Sequence, residues 1–189
     1  MSARGDRQGG FGLIEVLVTL IVVAVGLLGL AGLQTRAQQA ELEAYQRAQA
    51  LVLVQDMAHR IRSNRQAARC YEISAAQDGE DFIGQGNDPA NCAGWGTIAT
   101  RALADGDLNA WDGLLEGQAE TLDGANAGAM TGARGCVAYD VANEEYTVTV
   151  AWQGELVTQA PASACAQGAY GDDRMRRVVG TTVSFPELD

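Results

Sequence analysis

The sequence predicts an α+β protein in which a long N-terminal α-helix packs on a small antiparallel β-sheet. Three observations carry this. Residues Phe11 to Leu33 form one apolar run that flows without break into an amphipathic stretch, and no Pro or Gly follows Leu33 until after Asn64. Tyr146, Val148, Val150 and Trp152 alternate with Thr147, Thr149 and Ala151, and Arg177, Val179, Thr181, Val183 and Phe185 repeat that period of two near the C-terminus. A 3.6-residue period gives a helix and a two-residue period gives half-buried strands. Helices and strands that occupy separate blocks of the chain assemble as α+β.

Residues 1–10 are polar, carry Arg4 and Arg7 and end in two glycines. They read as a leader. Residues 11–33 read as a membrane or filament-core helix: 23 residues with a single ionisable group, Glu15. At 1.5 Å per residue such a helix reaches roughly 35 Å, enough to cross a bilayer. The preceding arginines favour a cytoplasmic N-terminus. A cleaved secretory signal has an apolar stretch of about 7–15 residues followed by a small-x-small site. Here Gly29-Leu30-Ala31 is a poor approximation to such a site, and it lies inside the run. The sharper junction is Gly10-Phe11, where a cut removes the charged leader and leaves the anchor attached.

Glu15 is the residue that needs a reason. A carboxylate in a membrane helix costs about 2.5–3.5 kcal/mol at the centre and less near an end, so such groups normally have a partner. A cut at Gly10-Phe11 creates a new amino group on Phe11, about one helical turn from Glu15. It can neutralise its own Glu15 or that of an adjacent chain, and the second arrangement fixes the register of neighbouring helices. A polar residue tolerated near the interface is the plainer alternative.

From residue 34 to 189 the chain reads as a globular head outside the cytoplasm. Its helix continues as a spine to about residue 66, with Ala37, Ala40, Ala44, Ala48, Leu51, Val54, Ala58 and Ile61 as the stripe expected to be buried. Gly26, Gly29 and Gly32 punctuate the anchor; each costs about 0.8–1 kcal/mol relative to Ala. They suit either local stretching in a filament or close packing of neighbouring helices. Residues 75–91 read as loop. Leu103 to Glu116 is expected to form a short helix capped by Asp105 or Asp107, with Leu108, Trp111, Leu114 and Leu115 on its apolar face. The same acids, with Glu116, imitate part of a calcium loop, but Ala110 stands where such a loop needs Gly, and a helix start explains them as well. Residues 120–134 read as a second glycine-rich loop. Arg134–Asp140 and residues 146–152 are expected to pair as a hairpin, and residues 177–185 to add a third strand.

The composition excludes several functions. The net charge is −11 and all thirteen basic residues are arginine, so a nucleic-acid partner is not expected. Arg60, Arg62, Arg65 and Arg69 read as the basic end of the spine helix. The single histidine, His59, reads as solvent-facing, and with no second imidazole and no C-x-x-C pair a metal centre is disfavoured. No nucleophile–base–acid set and no phosphate-binding glycine loop can be assembled, so neither catalysis nor a cofactor is expected. Cys70, Cys92, Cys136 and Cys165 follow an export segment and therefore read as two disulfides. Three pairings are open; Cys70–Cys92 with Cys136–Cys165 is favoured because it ties the helix end to the first loop and the hairpin to the segment before the last strand.

Gly10-Phe11-Gly12-Leu13-Ile14-Glu15-Val16-Leu17-Val18 resembles the prepilin cleavage and methylation motif of type IV pilins and type II secretion pseudopilins. Gly12 departs from the usual Thr. Leu27-Leu28-Gly29-Leu30-Ala31-Gly32-Leu33-Gln34 and Asp56-Met57-Ala58-His59-Arg60-Ile61-Arg62-Ser63-Asn64 resemble segments of the pilus-modification (PilV) minor pilins, over about the first 70 residues. The resemblance implies a type IV pilin-like fold, cleavage after Gly10 and N-methylation of Phe11 by a prepilin peptidase, and a register role for Glu15. It also implies other minor and major pilins as partners, an inner-membrane location before assembly, and a place in the pilus afterwards. A type II secretion pseudopilin shares the anchor, and a secreted binding protein with an atypical signal is a reading of another class.

Overall fold

A computed structural model describes residues 12–73, 81–119, 121–123, 125–126 and 130–185. The chain divides into two compact units, Met1–Leu42 and Glu43–Asp189. The first contributes the N-terminal part of helix α1, Leu13–Ser63. The second holds the rest of α1 and the whole head.

Helix α1 ends at Asn64, whose backbone leaves the helical region, and a 3-10 turn, Arg65–Tyr71, follows. Arg60 and Arg62 in the last turn complement the negative end of the helix dipole. Within the head, α1 buries Ala50, Val54, Met57, Ala58 and Ile61. Of the expected stripe, Val54, Ala58 and Ile61 are buried, but Ala37, Ala40, Ala44 and Ala48 are exposed, and so is Leu51. The half-buried positions of the preceding turns are Glu43, Gln46 and Gln49. That end of the spine meets Arg177 rather than apolar core: Arg177 Nη2 donates to Glu43 Oε1 at 3.0 Å. Long polar side chains lay their stems on the surface and keep their heads in ion pairs or water, which alanine cannot do.

Helix α2 spans Ile98–Leu115, starting five residues before the expected Leu103. Thr97 is its cap: the Thr97 hydroxyl accepts from the Thr100 N–H, and the Thr100 hydroxyl accepts from the Thr97 N–H. Asp105 and Asp107 therefore lie inside the helix, not at its start, and Asp105-Gly106-Asp107-Leu108-Asn109 is helical rather than a calcium-binding loop. The acids serve the chain itself. Asp105 accepts from the Cys92 N–H at 2.7 Å; Asp107 accepts from Arg60 at 2.8 Å and from the Tyr71 hydroxyl at 2.5 Å. Ala104, Leu108, Trp111 and Leu115 form the buried face, and the Trp111 indole N–H donates to the Leu53 carbonyl of α1.

Two-residue strands β1, Thr121–Leu122, and β2, Ala125–Asn126, pair with each other. The main sheet is antiparallel with order β3-β4-β5: β3 is Arg134–Asp140, β4 Glu145–Gln153 and β5 Arg176–Ser184. The β3–β4 turn is closed by Asp140, whose carboxylate accepts from the Asn143 side-chain amide and from the Ala142 and Asn143 N–H groups and is held below its usual range chiefly by the first and then by the backbone bonds. Val137, Tyr146, Val148, Val150 and Val183 meet the α1 and α2 faces in one core. Gly135 is required there, because a Cβ would strike the Trp111 ring. The structure joins Cys70 to Cys92, and Cys136 to Cys165.

Among the described residues, Asp112 is a buried carboxylate without a cation beside it. It is 8% exposed, its Oδ1 has no hydrogen-bond partner, and burial, followed by the nearby Glu116 charge, pushes its pKa up to about 6. The folded state binds this proton more tightly than the unfolded chain, so the contribution to stability is full below the ordinary value of 3.8 and is lost as pH rises through about 6. Asp112→Asn is expected to stabilise the head by about 1–2 kcal/mol at neutral pH, the full effect being reduced by nearby solvent. Thermal melts at pH 7.5 and pH 4 check it: the gain should vanish at the lower pH, and an equal gain at both would show that charge is not the cause.

Candidate functional site

The N-terminal part of α1 carries the feature that most needs a partner. Every large apolar side chain from Leu13 to Leu33 is about half or more exposed, from Leu17 at 48% to Leu13 at 85%. Among the described residues this is the one helix long and apolar enough to cross a membrane. A soluble monomer does not leave an apolar surface of this extent in water, so lipid or neighbouring helices must cover it. The backbone is ready for either, since a helix satisfies its own polar groups. The Thr19 hydroxyl is satisfied as well, donating to the Val16 carbonyl at 2.8 Å.

Glu15 stands in the first turn, where the Glu15 and Val16 N–H groups both reach the Gly12 carbonyl. The positive end of the helix dipole favours a carboxylate at that point. No other charged residue lies between Gly12 and Leu33. Gly10 and Phe11 lie outside the described residues. A Cβ added at Gly26, Gly29 or Gly32 would meet nothing within 4 Å, so these three leave open notches on the helix surface. Such notches let another backbone approach closely.

In the head, three of the four arginines of the predicted basic cluster make internal contacts, and Arg62 is exposed. Arg60 bridges Asp56 and Asp107, each at 2.8 Å. Arg69 pairs with Glu72 at 3.0 Å, and its guanidinium lies over the Tyr139 ring at 4.0 Å and near Trp95 at 5.3 Å. Arg65 lies over Phe185 at 4.8 Å. The aromatic shelf that receives these arginines escaped sequence reasoning because Trp95, Tyr139, Tyr146 and Phe185 come from separate segments and share no motif. Desolvation on the shelf raises Tyr146 to about 12. His59 is exposed. Among the described residues, no group of three or more His, Cys, Asp and Glu side chains is placed to hold a metal ion.

Residues 5–31 match the prokaryotic N-terminal methylation motif, and residues 32–108 match the family model described as type IV pilin Tt1218. No curated protein and no solved structure matches the chain. The first match covers Glu15 and most of the exposed apolar helix; the second begins next to it and covers the spine, the Cys70–Cys92 bridge and the first part of α2. With its long N-terminal helix, small three-stranded antiparallel sheet and methylation motif, the chain is an α+β protein of type IV pilin-like fold.

Proposed function

We propose that this chain is a minor pilin of a type IV pilus, of the pilus-modification (PilV) kind. A prepilin peptidase removes residues 1–10 by cutting between Gly10 and Phe11 and methylates the Phe11 amine. Residues 11–33 hold the subunit in the inner membrane, with residues 34–189 outside the cytoplasm, until it joins other minor and major pilins in the filament. It then helps to start pilus assembly and supports attachment and twitching motility. The observation that carries this reading is Glu15, one carboxylate in the first turn of an otherwise uncharged, exposed apolar helix. Packed beside like helices, that carboxylate pairs with the Phe11 amine of a neighbour, and the pair selects the register at which an incoming helix stops. The pilin match on residues 32–108 favours the pilus over the secretion-system alternative.

The N-terminus of the mature protein tests the processing. Mass spectrometry of the chain from its native host should find an N-methylated Phe11 as the first residue. A start after Ala31 would instead support a secreted protein with its anchor removed.

A further inference from the structure

The two edges of the main sheet are treated differently. The outer edge of β3 is closed by the chain itself: Ile83 and Gly135 exchange N–H···O bonds at 2.9 Å in both directions, and the Ile73 N–H donates to the Val137 carbonyl at 2.9 Å. Among the described residues, the outer edge of β5 has no such cover: the backbone of residues 178–184 bonds to β4 alone. The β4–β5 register runs one-to-one from Glu145↔Ser184 to Gln153↔Arg176, with no bulge to bend the strand away. The sequence from Val178 to Ser184 contains no charge and no Pro.

Folded proteins normally guard a long edge with a charge, a Pro or a bulge, because its unpaired N–H and C=O groups are a template for another strand. Strand β5 does possess two charges, and both are engaged elsewhere. Arg176 is fully buried, and Arg177 is held by Glu43, the Leu156 carbonyl and the Thr158 hydroxyl. Gly180, Thr182 and Ser184 are exposed.

We propose that β5 is an assembly edge that receives an extended, uncharged, Val/Thr-type segment of a different pilin subunit, continuing the sheet by one strand. This rests on the reading of the chain as a filament subunit. The hydrogen-bonding edge selects an extended backbone rather than a helix or a small molecule. A second copy of this chain is the poorer occupant, since acidic residues far outnumber basic ones, a net charge of −11 over the full sequence, and two copies would repel. The capped β3 edge also blocks a run of β5-to-β3 contacts between identical copies.

The test uses the full-length chain in filament-producing cells, with a photo-cross-linking residue at Thr182 and, as control, at Ile98, which is 80% exposed on α2. The Thr182 probe should join a different chain that itself carries an N-methylated N-terminus. The adduct should map to an extended segment, with a yield at least about tenfold above that of the control, as a specific edge requires. A separate Thr182→Lys variant should lose that partner from purified filaments by a similar factor while keeping its melting temperature. The proposal is overturned if the Lys variant retains the partner, if both probes label alike, or if the Thr182 adduct is a second copy of this chain. Normal incorporation into filaments with no Thr182 adduct overturns the edge alone. Absence of the unmodified chain from filaments overturns the functional reading beneath it.

Discussion

Glu15→Ala should leave a subunit that is cleaved and inserted in the membrane yet enters surface filaments at least about tenfold less often. The expected size follows from the partner left behind. On the proposed pairing, the substitution leaves a neighbour's Phe11 amine without its counter-charge in apolar surroundings, and losing one member of a buried pair costs about 3–5 kcal/mol. Every 1.4 kcal/mol is about a factor of ten, so even half that cost suffices. Membrane insertion moves the other way, because Ala removes a charge that costs about 2.5–3.5 kcal/mol at a bilayer centre. Insertion and assembly thus respond with opposite sign, which separates a register role from a general defect. Glu15→Gln keeps shape and hydrogen-bonding capacity but not charge and should fall between the two. Counting the subunit in sheared filaments against the cell membrane measures the ratio. Wild-type incorporation of the Ala variant would remove the role assigned to Glu15.

What could be read beforehand was whatever depends on neighbours in sequence. The helix through Ser63 follows from a long stretch free of Pro and Gly, and the β3–β4 hairpin from alternation that matches the register Tyr139↔Tyr146 and Val137↔Val148. The start of α2 was misread because Asp105 and Asp107 look like caps, whereas the actual cap depends on two threonine hydroxyls exchanging bonds with backbone. Those acids face other elements: Asp107 joins Arg60 of α1 to Tyr71 of the 3-10 turn. That is a tertiary choice with no local signature. The expected spine stripe departs from the structure for the same reason: Leu51 is exposed, and at Glu43 the helix meets Arg177 of β5, which is 134 residues away in sequence. In the anchor, by contrast, the apolar run and Glu15 are local features, and the motif that carries them is continuous. The open edge of β5 and the closed edge of β3 became visible only once the strand order was known.

Arg176 is the largest such tertiary element, and replacing it by Met should be the most destabilising single change in the C-terminal part of the head. The guanidinium has five N–H donors in a fixed fork. All five are used. Nε and Nη2 donate to the Asp173 carboxylate at 2.7 and 2.8 Å, Nη1 donates to the Ser163 and Cys165 carbonyls at 2.7 and 2.9 Å, and Nη2 also reaches the Pro161 carbonyl at 3.3 Å. One side chain thereby ties the first residue of β5 to the loop that carries the Cys136–Cys165 bridge. Asp173 is held below its usual pKa, mainly by its bond to Arg176, so acid should weaken the same link as pH falls through that lowered value. Methionine fills comparable volume but leaves three carbonyls without these donors and the Asp173 carboxylate with only the Gly168 N–H; because Asp173 is partly exposed, the loss is at the low end for a broken buried pair, about 3 kcal/mol. For a head of this size that lowers the melting temperature by roughly 10 °C. Arg176→Lys supplies one charge and three donors without the fork, so it should recover only part of the loss. Limited proteolysis should report the cause, with new cleavage between Gly154 and Asp173 in the Met variant before global unfolding. A Met variant that melts within about a degree of wild type would show that the disulfide alone positions the loop and that the five-bond fork contributes little to its order.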